Sequence, residues 1–331
     1  MSPRALQDFK QDPVRSRRLP DWLRLDLAAG HEAPRTDALM KELGLHTICE
    51  SGRCPNRNEC YSRKTATFMI LGDVCTRSCH FCSVSTGRPE ALDREEPRRI
   101  ATAVKILGLR HVVITSVNRD DLEDEGAGHF VEVIRQLKAE SPGVIVEILT
   151  PDFRRTQPNA VRMILNEGPD IFNHNVETVP GLYRRVRPQG DYRRSLELFR
   201  EIRRAGDAVL TKSGLMLGFG ESREEVLEVL RDLRDAGCEF LTLGQYLQSS
   251  ALGLPVEEYI RPEIFLDYKK QALDMGFAWV ESAPFVRSSF HAKESFEALQ
   301  TLLGTNKSKT VDVRSFVDSG ESPQDKFARV T

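Results

Sequence analysis

Six of the seven cysteines fall between Cys49 and Cys82, in two sets, Cys49-x4-Cys54-x5-Cys60 and Cys75-x3-Cys79-x2-Cys82. No other feature constrains the chain as much. A structural zinc site closes on four ligands, commonly two paired cysteines at each end, and neither set has that form. Each supplies three thiolates, which leaves a metal position open, as in sites that do chemistry rather than hold a fold. All-thiolate ligation from a short loop is also how iron–sulfur clusters are held, usually by four cysteines. A three-cysteine site leaves one iron of a [4Fe–4S] cluster without a protein thiolate. The rival readings are a zinc knuckle, which lacks its fourth ligand here, and a thioredoxin-like CHFC pair, which needs no third cysteine.

The rest of the chain indicates what carries these sets. Its 331 residues are 40% hydrophobic and 29% charged, a globular composition that excludes wholesale disorder. The longest apolar runs, such as residues 67–71, fall far short of the roughly 20 residues of a bilayer-crossing helix. The N-terminal MSPRALQDFKQDPVRSRRLP lacks the apolar core of a secretory signal. We expect no membrane association and a cytoplasmic location, where crowded cysteines serve as metal ligands or redox groups rather than disulfides. A net charge of −2 argues against nucleic-acid binding, which leans on a basic surface.

Residues 1–33 read as a polar, Arg-rich arm anchored by Pro20, Trp22 and Leu23, and a short helix is expected over Pro34–Leu43. The stretch SGRCPNRNEC reads as loop, punctuated by Gly, Pro and Asn. Beyond it, β-rich runs at residues 67–71, 111–115, 144–149, 170–175, 208–217, 240–244 and 278–281 alternate with helical patterns at about 97–107, 129–139, 159–166, 193–204, 222–236 and 262–275. Alternation of this kind signals βα units and a parallel sheet. The expected fold is α/β, a complete or partial TIM-like (β/α) barrel, with a doubly wound open sheet as the alternative. In both, ligands sit at the C-terminal ends of the strands. The expected organisation is an N-terminal cysteine-containing extension over residues 1–63, the barrel over 64–291, and a C-terminal helix and tail over 292–331. Phe296, Leu299, Leu302 and Leu303 share a face in that last segment.

The second triplet, CTRSCHFC with Phe81 before the last cysteine, follows the first barrel strand through Gly72 and Asp73. It resembles the cluster-binding motif of radical S-adenosylmethionine (SAM) enzymes. The resemblance implies a [4Fe–4S] cluster on Cys75, Cys79 and Cys82 whose open iron is chelated by SAM, and electron transfer that cleaves SAM to a 5′-deoxyadenosyl radical. The upstream triplet narrows this further. HTICESGRCPNRNECYSRKTATFMILGDVCTRSCHFC resembles lipoyl synthases, as do PDWLR (20–24), ITSVNRDDLEDEGAGHF (114–130), FNHNVET (172–178), KSGLMLGFGE (212–221), LTLGQYLQ (241–248) and RSSFHA (287–292).

That resemblance implies insertion of two sulfur atoms, at C6 and C8 of an octanoyl chain carried on a lysine of a lipoyl carrier protein. Both carbons are unactivated, so a radical supplied by the cofactor must remove their hydrogens. It implies a second [4Fe–4S] cluster on Cys49, Cys54 and Cys60 that is consumed as the sulfur donor. Its fourth ligand is a serine, which maps to Ser289 in Arg287-Ser288-Ser289-Phe290. The implied partners are an octanoylated carrier (a glycine cleavage H protein or the acyltransferase subunit of a 2-oxoacid dehydrogenase) and an electron donor such as ferredoxin or flavodoxin. For SAM, the resemblance points to Phe81, to Thr115 and Ser116 for the methionine amino group, to Asn173, Asn175 and Glu177 for the ribose and carboxylate, and to Gly214, Gly218 and Gly220 for close approach.

Other features have plainer readings. Cys238 reads as a small core residue, and His174 as either a pocket residue or a hydrogen-bonded core histidine. The run from Arg184 to Arg204 holds eight arginines and three acidic residues, a solvated helix face or a patch for an acidic carrier, with Arg193 and Arg194 the residues to reverse. The chain departs from the family pattern at Phe290, at Ser249 and Gly253, and at Glu125, which stands where the family usually has glycine and would strain any backbone of positive φ there. These departures leave room for another radical SAM sulfur-inserting enzyme, biotin synthase-like or methylthiotransferase-like, or for a divergent paralogue. A ferredoxin-like carrier or a zinc-binding interaction module are the readings outside that class.

Overall fold

The computed structural model describes residues 19–24, 32–62, 65–206, 209–250 and 253–289. Phe290 and the expected C-terminal helix and tail lie outside the described residues, as does most of the expected arm. Of the arm's anchors, Leu23 is buried and Trp22 lies beneath the Arg261 guanidinium, 5.8 Å from its ring centroid.

In chain order the elements are α1 (Glu32–Glu42), β1 (His46–Thr47), α2 (Ile48–Ser51), α3 (Arg57–Ser62), β2 (Thr65–Ile70), β3 (Val74–Cys75), β4 (Ser85–Thr86), α4 (Glu96–Leu107), β5 (His111–Ser116), α5 (Ala127–Glu140), β6 (Ile145–Leu149) and α6 (Gln157–Asn166). There follow β7 (Ile171–Asn173), α7 (Tyr183–Val186), α8 (Tyr192–Ala205), β8 (Leu210–Leu217), α9 (Arg223–Asp235), β9 (Phe240–Gln245), α10 (Pro262–Asp274) and β10 (Trp279–Ser282). The eight-stranded sheet runs β1-β2-β5-β6-β7-β8-β9-β10, parallel throughout except for β1, which pairs antiparallel with β2.

Each barrel strand therefore pairs with the one that precedes it, and the helices pack in the same succession, α4 on α5, α5 on α6 and α6 on α8. A doubly wound sheet reverses its strand order at a switch point; this one never does. The fold is a partial barrel whose two edges are β1 and β10.

The strands that read as continuous apolar runs, TATFMI in β2 and FLTLGQ in β9, are buried at all six positions, as parallel strands covered on both faces must be. Helices start and stop where the sequence provides for it. Ser222 and Glu225 form a reciprocal capping box on α9, Asp191 caps α8, and Gly108 ends α4 in the left-handed region. Inside the barrel a polar knot replaces apolar filling. Buried Glu147 accepts from Lys212 Nζ at 2.9 Å and Asn173 Nδ2 at 3.0 Å, and pairs with His111 Nε2 at 3.2 Å.

Two expectations require correction. SGRCPNRNEC is not all loop, since α2 ends on its Ser51 and α3 takes in its last four residues, Arg57 to Cys60; Thr47 caps α2 by accepting from Glu50 N at 3.3 Å. The fourth barrel strand stops at Asn173 rather than Asn175, because the chain bends toward β8 there, with His174 N donating to Lys212 O and Glu177 adopting φ 69°.

Candidate active site

After β2 the chain turns through Leu71 and Gly72, at φ 70° and 90°. A leucine in the left-handed region is costly, and three neighbours hold it there. Glu96 Oε2 accepts from Leu71 N at 2.9 Å, Arg119 Nη1 donates to Leu71 O at 3.2 Å, and Gly126 lacks the side chain that would otherwise meet Leu71 at 2.4 Å. This turn delivers the Cys75 loop to the C-terminal mouth of the barrel.

The loop is bolted down through the residues between its cysteines. Arg77 Nε and Nη2 donate to the two Asp120 oxygens at 2.7 Å each, and Nη1 donates to Asp152 at 2.6 Å. Thr76 N donates to Asn118 O at 3.1 Å. The Cys75 sulfur accepts from Asn118 N at 3.3 Å and Arg77 N at 3.4 Å, with Asn118 Nδ2 at 3.7 Å. Cys82 N donates to Cys79 O at 3.0 Å, closing the turn.

The other triplet lies alongside. Ser83, next to Cys82, donates to Ser51 O between Cys49 and Cys54 at 2.6 Å, so the two cysteine segments touch. Asn56 Nδ2 donates to Phe285 O at 2.7 Å, which draws in the segment after β10. There Thr67 Oγ1 donates to Ser289 Oγ at 2.9 Å and Asn175 Nδ2 donates to Ser288 Oγ at 2.6 Å. Ser289 thus lies against the strand that borders Cys49, and the Arg287 guanidinium lies near Cys54.

Burial raises the thiols of Cys49, Cys54, Cys79 and Cys82. It pushes Cys79 up to about 12, with Arg187 opposing and Cys82 and Glu177 adding. Burial, with Cys54 close by, pushes Cys49 up to about 11 against hydrogen bonds from Thr67 and Tyr61, and burial raises Cys54 as well. Such thiols stay protonated at neutral pH until a cation displaces their protons. All seven cysteines are free, and among the described residues no three His, Cys, Asp or Glu side chains converge on a single ion. A donor set of soft sulfurs spread along two adjoining segments fits clusters, which take successive thiolates on separate irons.

The expected SAM contacts divide. Ser116 Oγ and Asn175 Oδ1, and with them Asn118 Oδ1, are buried without a hydrogen-bond partner among the described residues; this fits a polar ligand at the mouth. Thr115 Oγ1 donates to Leu149 O at 3.1 Å. Glu177 faces Cys79 and Arg187, its carboxyl raised by burial against the pull of Arg187. Phe81 packs against Val186, Phe219 and Tyr246. Asn173, the last residue of β7, gives its amide nitrogen to the Glu147 knot, while its Oδ1 is also buried without a hydrogen-bond partner among the described residues. The glycines also have another purpose. A side chain at Gly214 would meet Thr242 at 2.6 Å, one at Gly218 would meet Gln245 at 2.3 Å, and Gly218 and Gly220 adopt φ 111° and 101°. His174 is a core histidine, bonded to Thr150 O and Ser195 Oγ and driven down to about 4 by burial. Cys238 is wholly buried, as expected.

Sequence reasoning missed Arg77, Asn118, Arg187 and Thr67. An arginine inside a cysteine loop is a signal that was there to use; Arg187 was hidden among surface arginines, and Thr67 inside an apolar strand.

The radical SAM superfamily pattern matches residues 69–233. A lipoyl synthase of Methylococcus capsulatus is 54% identical over 285 residues, covering 86% of this chain and 88% of that protein. One of Caldanaerobacter subterraneus is 51% identical over 83% of this chain and 96% of that protein. The chain belongs to the lipoyl synthase family. As a lipoyl synthase it is a radical SAM enzyme that inserts sulfur. Solved structures show the same fold at low identity. Methylornithine synthase matches with a TM-score of 0.51 at 15% identity, covering 92% of this chain and 98% of that one. A maturase of the [FeFe]-hydrogenase matches with a TM-score of 0.51 at 14% identity, covering 88% and 81%. No helix among the described residues of this lipoyl synthase is long and apolar enough to cross a membrane.

Proposed function

We propose that Cys75, Cys79 and Cys82 hold the [4Fe–4S] cluster that meets SAM, and that Cys49, Cys54, Cys60 and Ser289 hold a second, auxiliary one. When bound, the first supplies a hydrogen-abstracting radical and the second supplies sulfide, for C6 and C8 of an octanoyl-lysine. The observation that carries this reading is the asymmetry of the two triplets. The Cys49 set has a serine oxygen brought to it by Thr67, which completes four ligands. The Cys75 set is accompanied instead by Asn118, which faces the Cys75 sulfur through its nitrogens and whose Oδ1 has no hydrogen-bond partner among the described residues, which suits a small polar ligand.

This chain's residues orient and shield. Arg77 fixes the loop, Asn118 donates to the Cys75 sulfur, and Arg187 balances Glu177 beside Cys79. Phe81, Val186, Phe219 and Tyr246 form an apolar wall that keeps water from a radical.

The carrier we infer is a lipoyl domain, of the glycine cleavage H protein or a 2-oxoacid dehydrogenase acyltransferase, with ferredoxin or flavodoxin as reductant. Of the cations considered for docking, Arg194 is committed to Asp152 at 2.9 Å, whereas Arg193 and Arg184 are exposed. Reversing Arg184 and Arg193 should slow association with an acidic carrier, and an unchanged on-rate refutes that surface. Free cysteines suit the reducing cytoplasm, the compartment we infer.

Anaerobic purification with iron and sulfide counting, then incubation with SAM, a reductant and an octanoylated lipoyl-domain peptide, tests the whole reading. Two clusters and a gain of two sulfurs in the peptide are expected. Zinc without sulfide would falsify it.

A further inference from the structure

Thr67 lies in β2, 2% exposed, on the strand that joins the two cysteine segments. It makes two contacts of different origin. Its hydroxyl donates to Ser289 Oγ at 2.9 Å, across 222 residues of chain. The Cys49 sulfur lies within hydrogen-bonding reach of the Thr67 backbone N–H and of its hydroxyl as well. The second contact exists because β1 ends at Thr47, opposite Phe68, so the next position along β2 meets the turn of α2 that bears Cys49.

We propose that Thr67 is a positioning residue of the auxiliary centre, setting two of its four ligands, Cys49 and Ser289, relative to one another. This rests on the reading of Ser289 as a ligand. A serine oxygen bound to iron carries negative charge and no proton, so it can only accept. Thr67 has one hydroxyl proton, given to that oxygen at 2.9 Å with the Cys49 sulfur also in reach, and a charge-assisted bond of this kind is roughly twice as strong as a neutral one. Groups that orient a metal ligand from behind typically affect metal affinity about 10- to 100-fold. A valine here keeps the β-branched shape that a strand accommodates but leaves both Ser289 and the strand interior without the donor. The plain alternative is a buried threonine satisfying itself on a nearby serine, in which case the hydroxyl has no bearing on iron.

The test compares the full-length chain with Thr67→Val, Thr67→Ser and Ser289→Ala, each loaded anaerobically with iron and sulfide, by the rate at which a chelator removes iron. Circular dichroism confirms the fold of each. We expect Thr67→Val to release auxiliary iron about 10- to 100-fold faster than the unaltered chain, Thr67→Ser to restore its retention, and Ser289→Ala to release iron at least as fast as Thr67→Val. If Thr67→Val holds iron normally while Ser289→Ala loses it, the role of Thr67 is refuted and Ser289 stands. If Ser289→Ala also holds iron normally, the ligand reading itself fails. Equal loss from Thr67→Val and Thr67→Ser assigns the effect to shape and overturns the proposal.

Discussion

Replacing Asp152 by asparagine probes the fastening of the Cys75 loop with a change of one atom. The residue is fully buried, and its two oxygens accept from Arg77 Nη1 at 2.6 Å and Arg194 Nη1 at 2.9 Å. Asparagine keeps one acceptor and turns an amide NH2 toward the other guanidinium, so a donor faces a donor. A hydrogen bond to a charged group contributes about 1.5–3 kcal/mol, and removing one partner of a buried ion pair costs about 3–5 kcal/mol. Arg77 keeps both bonds to Asp120, which points to the lower end, about 3 kcal/mol. The pairwise part is isolated by a cycle of Asp152→Asn, Arg77→Met and the double variant, compared by urea unfolding of the metal-free chain. We expect a coupling of about 2 kcal/mol at pH 7. It should shrink in acid. Burial alone would raise the Asp152 carboxyl, yet Arg77 and Arg187 hold it below the usual range. A depressed acid contributes stability above its unfolded pKa and loses it as pH falls through the folded value. A coupling below about 0.5 kcal/mol, or one independent of pH, refutes the argument that Asp152 pins this loop.

Three further outcomes follow from other sites. Burial opposes ionisation of Glu147, but Lys212 and His111 bring its pKa down to about 2; against the ordinary glutamate value of about 4.3, its contribution of roughly 3 kcal/mol should be lost progressively as pH falls from about 4 to about 2. In Lys212→Met that acid-dependent portion should be largely absent, and an unchanged acid-unfolding profile contradicts the assignment. Glu125 sits at φ 53° yet accepts from Arg155 N, Thr156 N and Thr156 Oγ1 at 2.8, 3.1 and 3.0 Å. Glu125→Gly relieves about 1 kcal/mol of backbone strain but removes three bonds to a charged acceptor, so a net loss of at least about 3 kcal/mol is expected in urea unfolding; greater stability means that strain dominates. Finally, Cys79→Ala and Cys54→Ala should each remove about half of the iron, with the spectral response to SAM lost only in Cys79→Ala; the same response in both variants contradicts the division of labour.

The barrel was legible because it depends on patterns of short range. Apolar runs such as TATFMI and the helical spacing of 97–107 declare themselves within ten residues, and both appear as β2 and α4. The six cysteines were legible for the same reason. What stayed hidden was determined by distant partners. No local pattern says that Arg77 will find Asp152, that Asn173 will be drawn into the core by Glu147, or that Gly218 leaves room for Gln245 rather than for a ligand. The helical turns that end at Ser51 and run through Cys60 were read as loop because each is a single turn or so, too short for periodicity to register.

Two hydrogen bonds, Asn56 to Phe285 and Thr67 to Ser289, span 229 and 222 residues and bring the segment after β10 to the β1 edge, so the barrel's open side is fastened where the auxiliary ligands gather. On a ribosome adding about 5–20 residues per second, the Cys49 set is made roughly 10–45 seconds before Ser289 exists. During that interval three thiols emerge with no oxygen partner and no closed barrel to shelter them. On the ligand set proposed above, an agent that loads iron during synthesis would find all three thiols of the Cys75 set made but the Cys49 set one ligand short. On that assignment, the order of synthesis favours filling the Cys75 set first.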